Sequence, residues 1–333
     1  MTRNYFYVLT LYQVVLLTGF KYVFGPVPSR RLGRSLGVNL VPLKVCNYSC
    51  IYCQLGKTTT FTNVRREYFP GSEVFKEVLR AIEVFDGGFD YLTFIGDGEP
   101  LLNSAIDWLV SKVKEVCPKP IAVLSNGSLL YLKEVREGLM YADVVKVSLD
   151  AGSERLFRFV NRPHKDLTLS KVVEGWLEFR DVFKGELWVE VMLVRDVNDS
   201  LSNAEGIVRI LRELRPAKVH VMVPTRPPTE PWVKPATSDK VIEFVRLISR
   251  CVGAATPIYL PETGEFNISK YPDPIEALLS IIKVHPMREE QVVKELVKAG
   301  LDPKEVIERL IEEGKVRKEV FEGITYLVYA RKH

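Results

Sequence analysis

Three cysteines lie within eight residues: Cys46-Asn-Tyr-Ser-Cys50-Ile-Tyr-Cys53. Thiolates are soft ligands that select zinc, copper(I) or iron–sulfur clusters. A structural zinc ion takes four protein ligands, and no fourth cysteine or histidine lies close in sequence. Three thiolates suit a four-iron cluster whose remaining iron stays open to a small molecule. A zinc set completed by a distant residue is the alternative that the spacing leaves open. Cys117 and Cys251 are isolated and read as small buried hydrophobes. Five cysteines, few and odd in number, do not make a disulfide framework. Thiol–metal chemistry places the chain in a reducing cytoplasm.

With Tyr52 just before the third cysteine, the spacing resembles the motif of the radical S-adenosylmethionine (radical SAM) superfamily. The flanks are similar to the archaeal and bacterial branch grouped with the wyosine-type tRNA synthetases. They run Phe24-Gly-Pro-Val-Pro-Ser-Arg-Arg-Leu-Gly-Arg-Ser-Leu-Gly37 before the cysteines and Gln54-Leu-Gly56 after them. The resemblance implies that Cys46, Cys50 and Cys53 ligate three irons of a [4Fe-4S] cluster. It implies that the amino and carboxylate groups of S-adenosyl-L-methionine (SAM) chelate the fourth. Tyr52 then sits near the adenine. One electron enters the sulfonium, the C5′–S bond breaks, and a 5′-deoxyadenosyl radical takes hydrogen from an unactivated carbon. An external one-electron donor of the ferredoxin or flavodoxin type is implied. Wyosine enzymes carry a further cysteine set upstream, whereas no cysteine precedes Cys46 here. One cluster is therefore expected.

Elements must hold that loop in place. Six strand-like runs alternate with helical patterns: 36–41, 91–95, 121–124, 144–149, 187–194 and 219–223. The alternation predicts an α/β fold with a parallel sheet. The resemblance makes it an open, six-strand partial barrel over residues 21–260. Ligands gather at the C-terminal ends of such strands. Gly96-Asp97-Gly98-Glu99-Pro100 follows the second strand, Ser125-Asn126 the third, and Ser148 and Asp150 close the fourth. By resemblance, 97–99 holds the methionine ammonium, with Asp97 where the family has glycine. The serines, Asn126 and Asp150 meet the carboxylate and ribose. Glu190, on the fifth strand with Met192 on the same face, is a ribose or substrate contact. Glycine, serine and asparagine also make turns for their own reasons; their recurrence after successive strands is the argument.

Charge is uneven along the chain. Nine of the 46 Lys and Arg precede Glu67, the first of 42 acidic residues. The positive charge offsets an anionic cluster locally or meets an anionic substrate, a phosphate ester or RNA. Arg30, Arg31 and Arg34 before the first strand, and Arg226 and Trp232 in the proline-rich loop 224–235, are the substrate-contact candidates. Arginine forks grip phosphate or carboxylate, and tryptophan stacks a base. His164, His220 and His285 show no ligand spacing and read as structural or surface residues.

Residues 1–20 read as an extension outside the enzyme fold, with a misassigned start codon as its origin. The apolar stretch is short for a membrane helix and lacks the flanks of a signal peptide; no membrane association is expected. Residues 261–274 read as a linker. Residues 275–333 read as three helices and a hairpin, resembling a winged helix. From Ile275 onward eleven basic residues meet eleven acidic ones, so protein contact suits the module as well as RNA does. Two alternatives stand beside hydrogen abstraction from an anionic substrate or a modified tRNA base. One is an activating enzyme for a glycyl-radical protein partner, docked through the tail. The other is an iron–sulfur redox sensor that binds nucleic acid.

Overall fold

The computed structural model describes residues 19–330 except 254 and 261. The expected extension therefore falls outside the described residues apart from Gly19 and Phe20, whose ring packs on Phe85 and Tyr271.

One eight-stranded sheet carries the fold, its strands in chain order: β1 (Val23–Ser29), β2 (Gly33–Asn39), β3 (Tyr91–Ile95), β4 (Ile121–Leu124), β5 (Val144–Ser148), β6 (Glu186–Met192), β7 (Lys218–Met222) and β8 (Ala255–Ile258). β1 pairs antiparallel with β2, and every later pair is parallel. Helices α1 (Gly71–Phe85), α2 (Ile106–Val116), α3 (Lys133–Gly138), α4 (Glu154–Val160), α5 (Leu169–Val182), α6 (Leu201–Leu214) and α7 (Ser238–Val252) fill the crossovers. Ser153, Thr168, Ser200 and Thr237 cap the starts of α4 to α7 by accepting a backbone N–H. This is the parallel α/β sheet expected from the alternation and the open partial barrel implied by the resemblance, with an edge strand added on each side of the six.

Period-2 alternation sorts the strand residues. Leu36, Val38, Leu92, Phe94, Val145, Val147, Val189, Val191, Val219 and Val221 are buried in one continuous apolar core. Ser35, Thr93, Lys146, Ser148, Glu190, His220, Met192 and Met222 alternate with them and face the other way, into the concave side. Register places Ser148 beside Glu190, and Glu190 beside His220. The concave side carries these polar groups beside an apolar cluster of Leu32, Ala122, Leu124, Val144 and Trp188, while the helix side is apolar throughout the core.

The tail is helix α8 (Pro274–Val284), β9 (Met287–Arg288), α9 (Glu289–Lys298), α10 (Pro303–Glu312), β10 (Val316–Phe321) and β11 (Ile324–Tyr329). Its three strands form an antiparallel sheet in the order β9-β11-β10. α8 lies against β1, and the Tyr326 hydroxyl donates to the Thr225 carbonyl at 2.7 Å. The stretch expected as a linker buries Phe266, Ile268 and Tyr271. Glu295, 3% exposed, accepts from the Phe266 and Ile268 amides at 2.9 and 3.2 Å. The stretch between Pro261 and Pro274 has no strand or helix period, so its sequence does not announce this packing.

Replacing Glu295 by Leu leaves two buried amides unpaired. The expected cost is about 1–3 kcal/mol of unfolding free energy, read from urea denaturation; an unchanged midpoint would refute the role of Glu295.

Candidate functional site

The cysteine loop follows β2 and is stitched to three neighbours by its backbone. Lys44 N–H donates to the Asp97 carbonyl at 2.7 Å, and Glu99 N–H to the Val45 carbonyl at 3.0 Å. Ser49 and Ile51 amides donate to the carbonyls of Asn161 and Val160 at the end of α4, at 3.1 and 3.0 Å. The proline-rich loop closes the third side: Glu230 N–H donates to the Ile51 carbonyl at 3.1 Å, and Thr229 Oγ1 to the Cys53 carbonyl at 2.9 Å. Gly98 makes the contact between the Glu99 amide and the Val45 carbonyl possible. A Cβ there would lie 1.8 Å from the Val45 carbonyl oxygen.

Cys46, Cys50 and Cys53 line one cavity of about 360 Å³ on the concave side of the sheet. Burial pushes the Cys46 thiol up to about 12 against the pull of Lys44. Burial, then Cys53 and Asp150, push Cys50 up as well. Displacing those protons takes a metal, since thiols bind metals as thiolates. Lys44, 2% exposed, points its Nζ at the Cys53 sulfur, 3.1 Å away. A buried ammonium against sulfur is a counter-charge waiting for thiolates. Among the described residues no three His, Cys, Asp or Glu side chains converge as ligands of a single metal ion do. Three cysteines on one cavity wall, with the Lys44 ammonium beside them, fit a cluster that takes three thiolate ligands.

The strand-end turns lie against the thiols. Glu99 is 2% exposed; its Oε1 accepts from Ser125 Oγ at 2.6 Å and from the Leu101 amide at 3.0 Å, and Oε2 from the Asn126 amide at 2.8 Å. Burial raises the carboxyl despite these donors. Asn126 Nδ2 reaches Asn47 at 2.9 Å. Asp97 Oδ2 accepts from Asn39 at 2.9 Å. Asp150 accepts from the Tyr52 hydroxyl at 2.5 Å, from Asn161 Nδ2 at 2.6 Å and from the Met192 amide at 2.8 Å. Gly96, Asp97, Gly98, Glu99, Ser125, Asn126, Ser148 and Tyr52 all line the cavity. Asp150 sits behind Tyr52 and orients it.

The far side of the cavity is charged. Arg31 and Lys146 both pair with Glu190, Lys146 at 3.1 Å. Burial pushes the Glu190 carboxyl up, but the two cations outweigh it and hold it at about 2. Arg226 pairs with Glu262 at 2.6 Å, meets His285 Nε2 at 2.8 Å and donates to Gln54 at 2.9 Å. Gln54 in turn donates to the Val284 carbonyl at 3.0 Å. The C-terminal end of α8 is thus a wall of the cavity.

Two expected substrate contacts are not brought there. Arg34 starts β2, at the N-terminal end of the sheet, where it is exposed and pairs with Asp90 at 3.1 Å. Trp232 is 47% exposed and leans on Phe159 outside the cavity. Residue type and nearness in sequence do not fix the direction of a side chain. His285, read as structural or surface, is instead a cavity residue. Lys44, Lys146 and Glu262 also escaped sequence reasoning. A lysine inside the apolar run of β5 was a signal for Lys146; nothing local marks Glu262 or His285.

A family comparison agrees with the geometry. Residues 40–203 match the Radical SAM superfamily. Its members are enzymes that use a [4Fe-4S] cluster and SAM. A UPF0026 protein of Methanocaldococcus jannaschii is 38% identical over 303 residues, covering 90% of this chain and 93% of that one. The chain belongs to the UPF0026 family of radical SAM enzymes. A "probable dual-specificity RNA methyltransferase RlmN" of Akkermansia muciniphila is 25% identical over 199 residues, 57% of this chain and 53% of the relative. A radical SAM methyltransferase structure from Sphaerobacter thermophilus superposes with a TM-score of 0.56 at 19% identity, covering 71% and 69% of the two chains; it shares the fold. No helix among the described residues is long and apolar enough to cross a membrane.

Two outcomes are expected. Gly98→Ala drives the turn away from Val45 and Cys46, so the variant loses most of its iron after anaerobic reconstitution; a wild-type iron content would contradict the clasp. The second concerns pH. Burial lowers His220 and His285 to about 4 from 6.5. Unfolded histidines therefore take protons first on acidification. Their contribution to stability is complete above pH 6.5 and lost as pH falls toward 4. Urea midpoints should decline across that window, and less steeply in His285→Gln; identical slopes would refute it.

Proposed function

We propose that Cys46, Cys50 and Cys53 hold the cluster and that the chain abstracts hydrogen from an anionic substrate in the cavity, a modified tRNA base being the leading case. What carries this reading is one cavity lined by three thiols at one end and by paired arginines at the other. When bound, the reduced cluster supplies the electron that cleaves SAM.

The chain's own residues do the positioning. Lys44 balances thiolate charge beside Cys53. Glu99, fixed by Ser125, Leu101 and Asn126, keeps one face of Oε2 for an ammonium group. Tyr52, held by Asp150, forms a flat wall for an aromatic base. Phe24, Val284 and Met222 exclude water, which protects a reactive radical. Arg30, Arg31 and Arg226 supply the charge for an anion.

Similarity over part of the chain to an RNA methyltransferase supports the RNA reading. A ferredoxin or flavodoxin type donor would deliver the electron. The tail, a helix–strand–helix–helix–hairpin unit that resembles a winged helix, would dock a protein or RNA partner. A SAM cavity has no role in a redox sensor, which weighs against that alternative.

Anaerobic incubation with SAM and dithionite tests the reading. The reconstituted protein should release 5′-deoxyadenosine without added substrate, and the triple Cys→Ala variant should release none. Zinc in place of iron, or release by the triple variant, would sink it.

A further inference from the structure

The cavity beyond the thiols holds more positive than negative charge. Arg30, Arg31, Lys146 and Arg226 line it there, against Glu190 and Glu262. Asp97 and Glu99 lie at the thiol end, held by the donors described above. Glu190 already answers two cations, and Glu262 is held between Arg226 at 2.6 Å and His285 Nε2 at 3.0 Å. Arg30 has the Leu260 carbonyl at 3.4 Å and, among the described residues, no carboxylate within ion-pair distance. Burial, then Arg226 and Arg31, push its guanidinium down to about 10. His285 is neutral near pH 7, since burial and Arg226 hold it at about 4. Guanidiniums crowded in a half-buried pocket repel one another unless an anion sits among them. The surplus is two positive charges.

We propose that this end of the cavity binds a phosphate monoester, its phosphoryl group between Arg30 and Arg226, with Gln54 and His285 facing it from the cysteine loop and the tail. Only the neighbouring occupant of the cavity rests on the radical SAM reading; the anion site does not. A monoester carries about −1.5 to −2 charge at pH 7, which matches the surplus summed over this whole end of the cavity, Arg31 and Lys146 against Glu190 included. A phosphodiester inside a strand carries a single negative charge and leaves one cation uncompensated. Arginine forks suit the bidentate geometry of phosphate oxygens. The substrate is then a free nucleotide or sugar phosphate, or a strand end, and the tRNA reading narrows to a terminal nucleotide.

The test is calorimetric titration of the full-length reconstituted protein with a nucleoside 5′-monophosphate, the parent nucleoside, a dinucleoside monophosphate and inorganic phosphate. The monophosphate is expected to bind at least about tenfold more tightly than the nucleoside or the diester. Its binding should weaken below about pH 6, where the second phosphate proton returns. Arg30→Gln should reduce affinity about tenfold, and Arg30→Lys should restore part of it, because an ammonium keeps the charge without the fork. Thermal melting of both variants checks that the fold persists. Equal affinity for nucleoside, diester and monoester, no binding at all, or unchanged binding in Arg30→Gln overturns the proposal. Substrate-free 5′-deoxyadenosine release is measured on the same wild-type preparation. Its absence removes the proposed cleavage of SAM and leaves the phosphate result standing; its presence without monoester binding removes the phosphate site alone.

Discussion

The structure depends on a backbone clasp between two loops. The Lys44 amide on the Asp97 carbonyl and the Glu99 amide on the Val45 carbonyl join the cysteine segment to the turn after β3. Hydrogen bonds between main chains fix position without spending a side chain. The side chains of Lys44, Cys46, Asp97 and Glu99 are thereby free to face the cavity or brace it. Everything at this end follows. Glu99 can be held by Ser125 and Asn126 only because its own backbone is already placed, and the thiols share the cavity with it for the same reason. Gly98 is the element with no substitute, since its missing side chain is the space the clasp occupies.

The concave face follows a second constraint. A parallel sheet flanked by helices is normally apolar on both faces. Here the inward positions of β2, β3, β5, β6 and β7 carry Ser35, Thr93, Lys146, Glu190 and His220. Such groups are tolerated inside only with partners. Ser35 and Thr93 meet at 2.7 Å, and Glu190 binds Lys146 and Arg31. Polar lining of this kind costs stability that an apolar interior would keep, and it marks where the fold has been adapted to chemistry.

Much of this was legible in the chain. The cysteine spacing, the six central strands and the turns after them could be read because each leaves a local trace: a ligand interval, a period of two, a run of glycine and small polar residues. β1 was not read as a strand, since Gly25, Pro26 and Pro28 break its pattern, and pairing with β2 overrides them. β8 pairs through Ala255–Ile258, a stretch too short and too exposed to show alternation. The Arg226–Glu262–His285 grouping was invisible for a different reason. Its members are brought together by tertiary packing of α8 on β1, and no interval in the sequence encodes that meeting. Direction was the commonest failure: Arg31 turns inward while Arg34, three residues on, stays at the outer end of the sheet.

The link between Gln54 and the Val284 carbonyl spans 230 residues. A ribosome makes the thiols long before it makes the helix that walls them in, and domains fold as they emerge, N-terminal parts first. The nascent barrel therefore passes through a stage in which its sulfurs face open solvent on the side that α8 later covers. On the proposed cluster reading, a metal meets one wall fewer during that interval than after Val284 and His285 have joined the cavity lining.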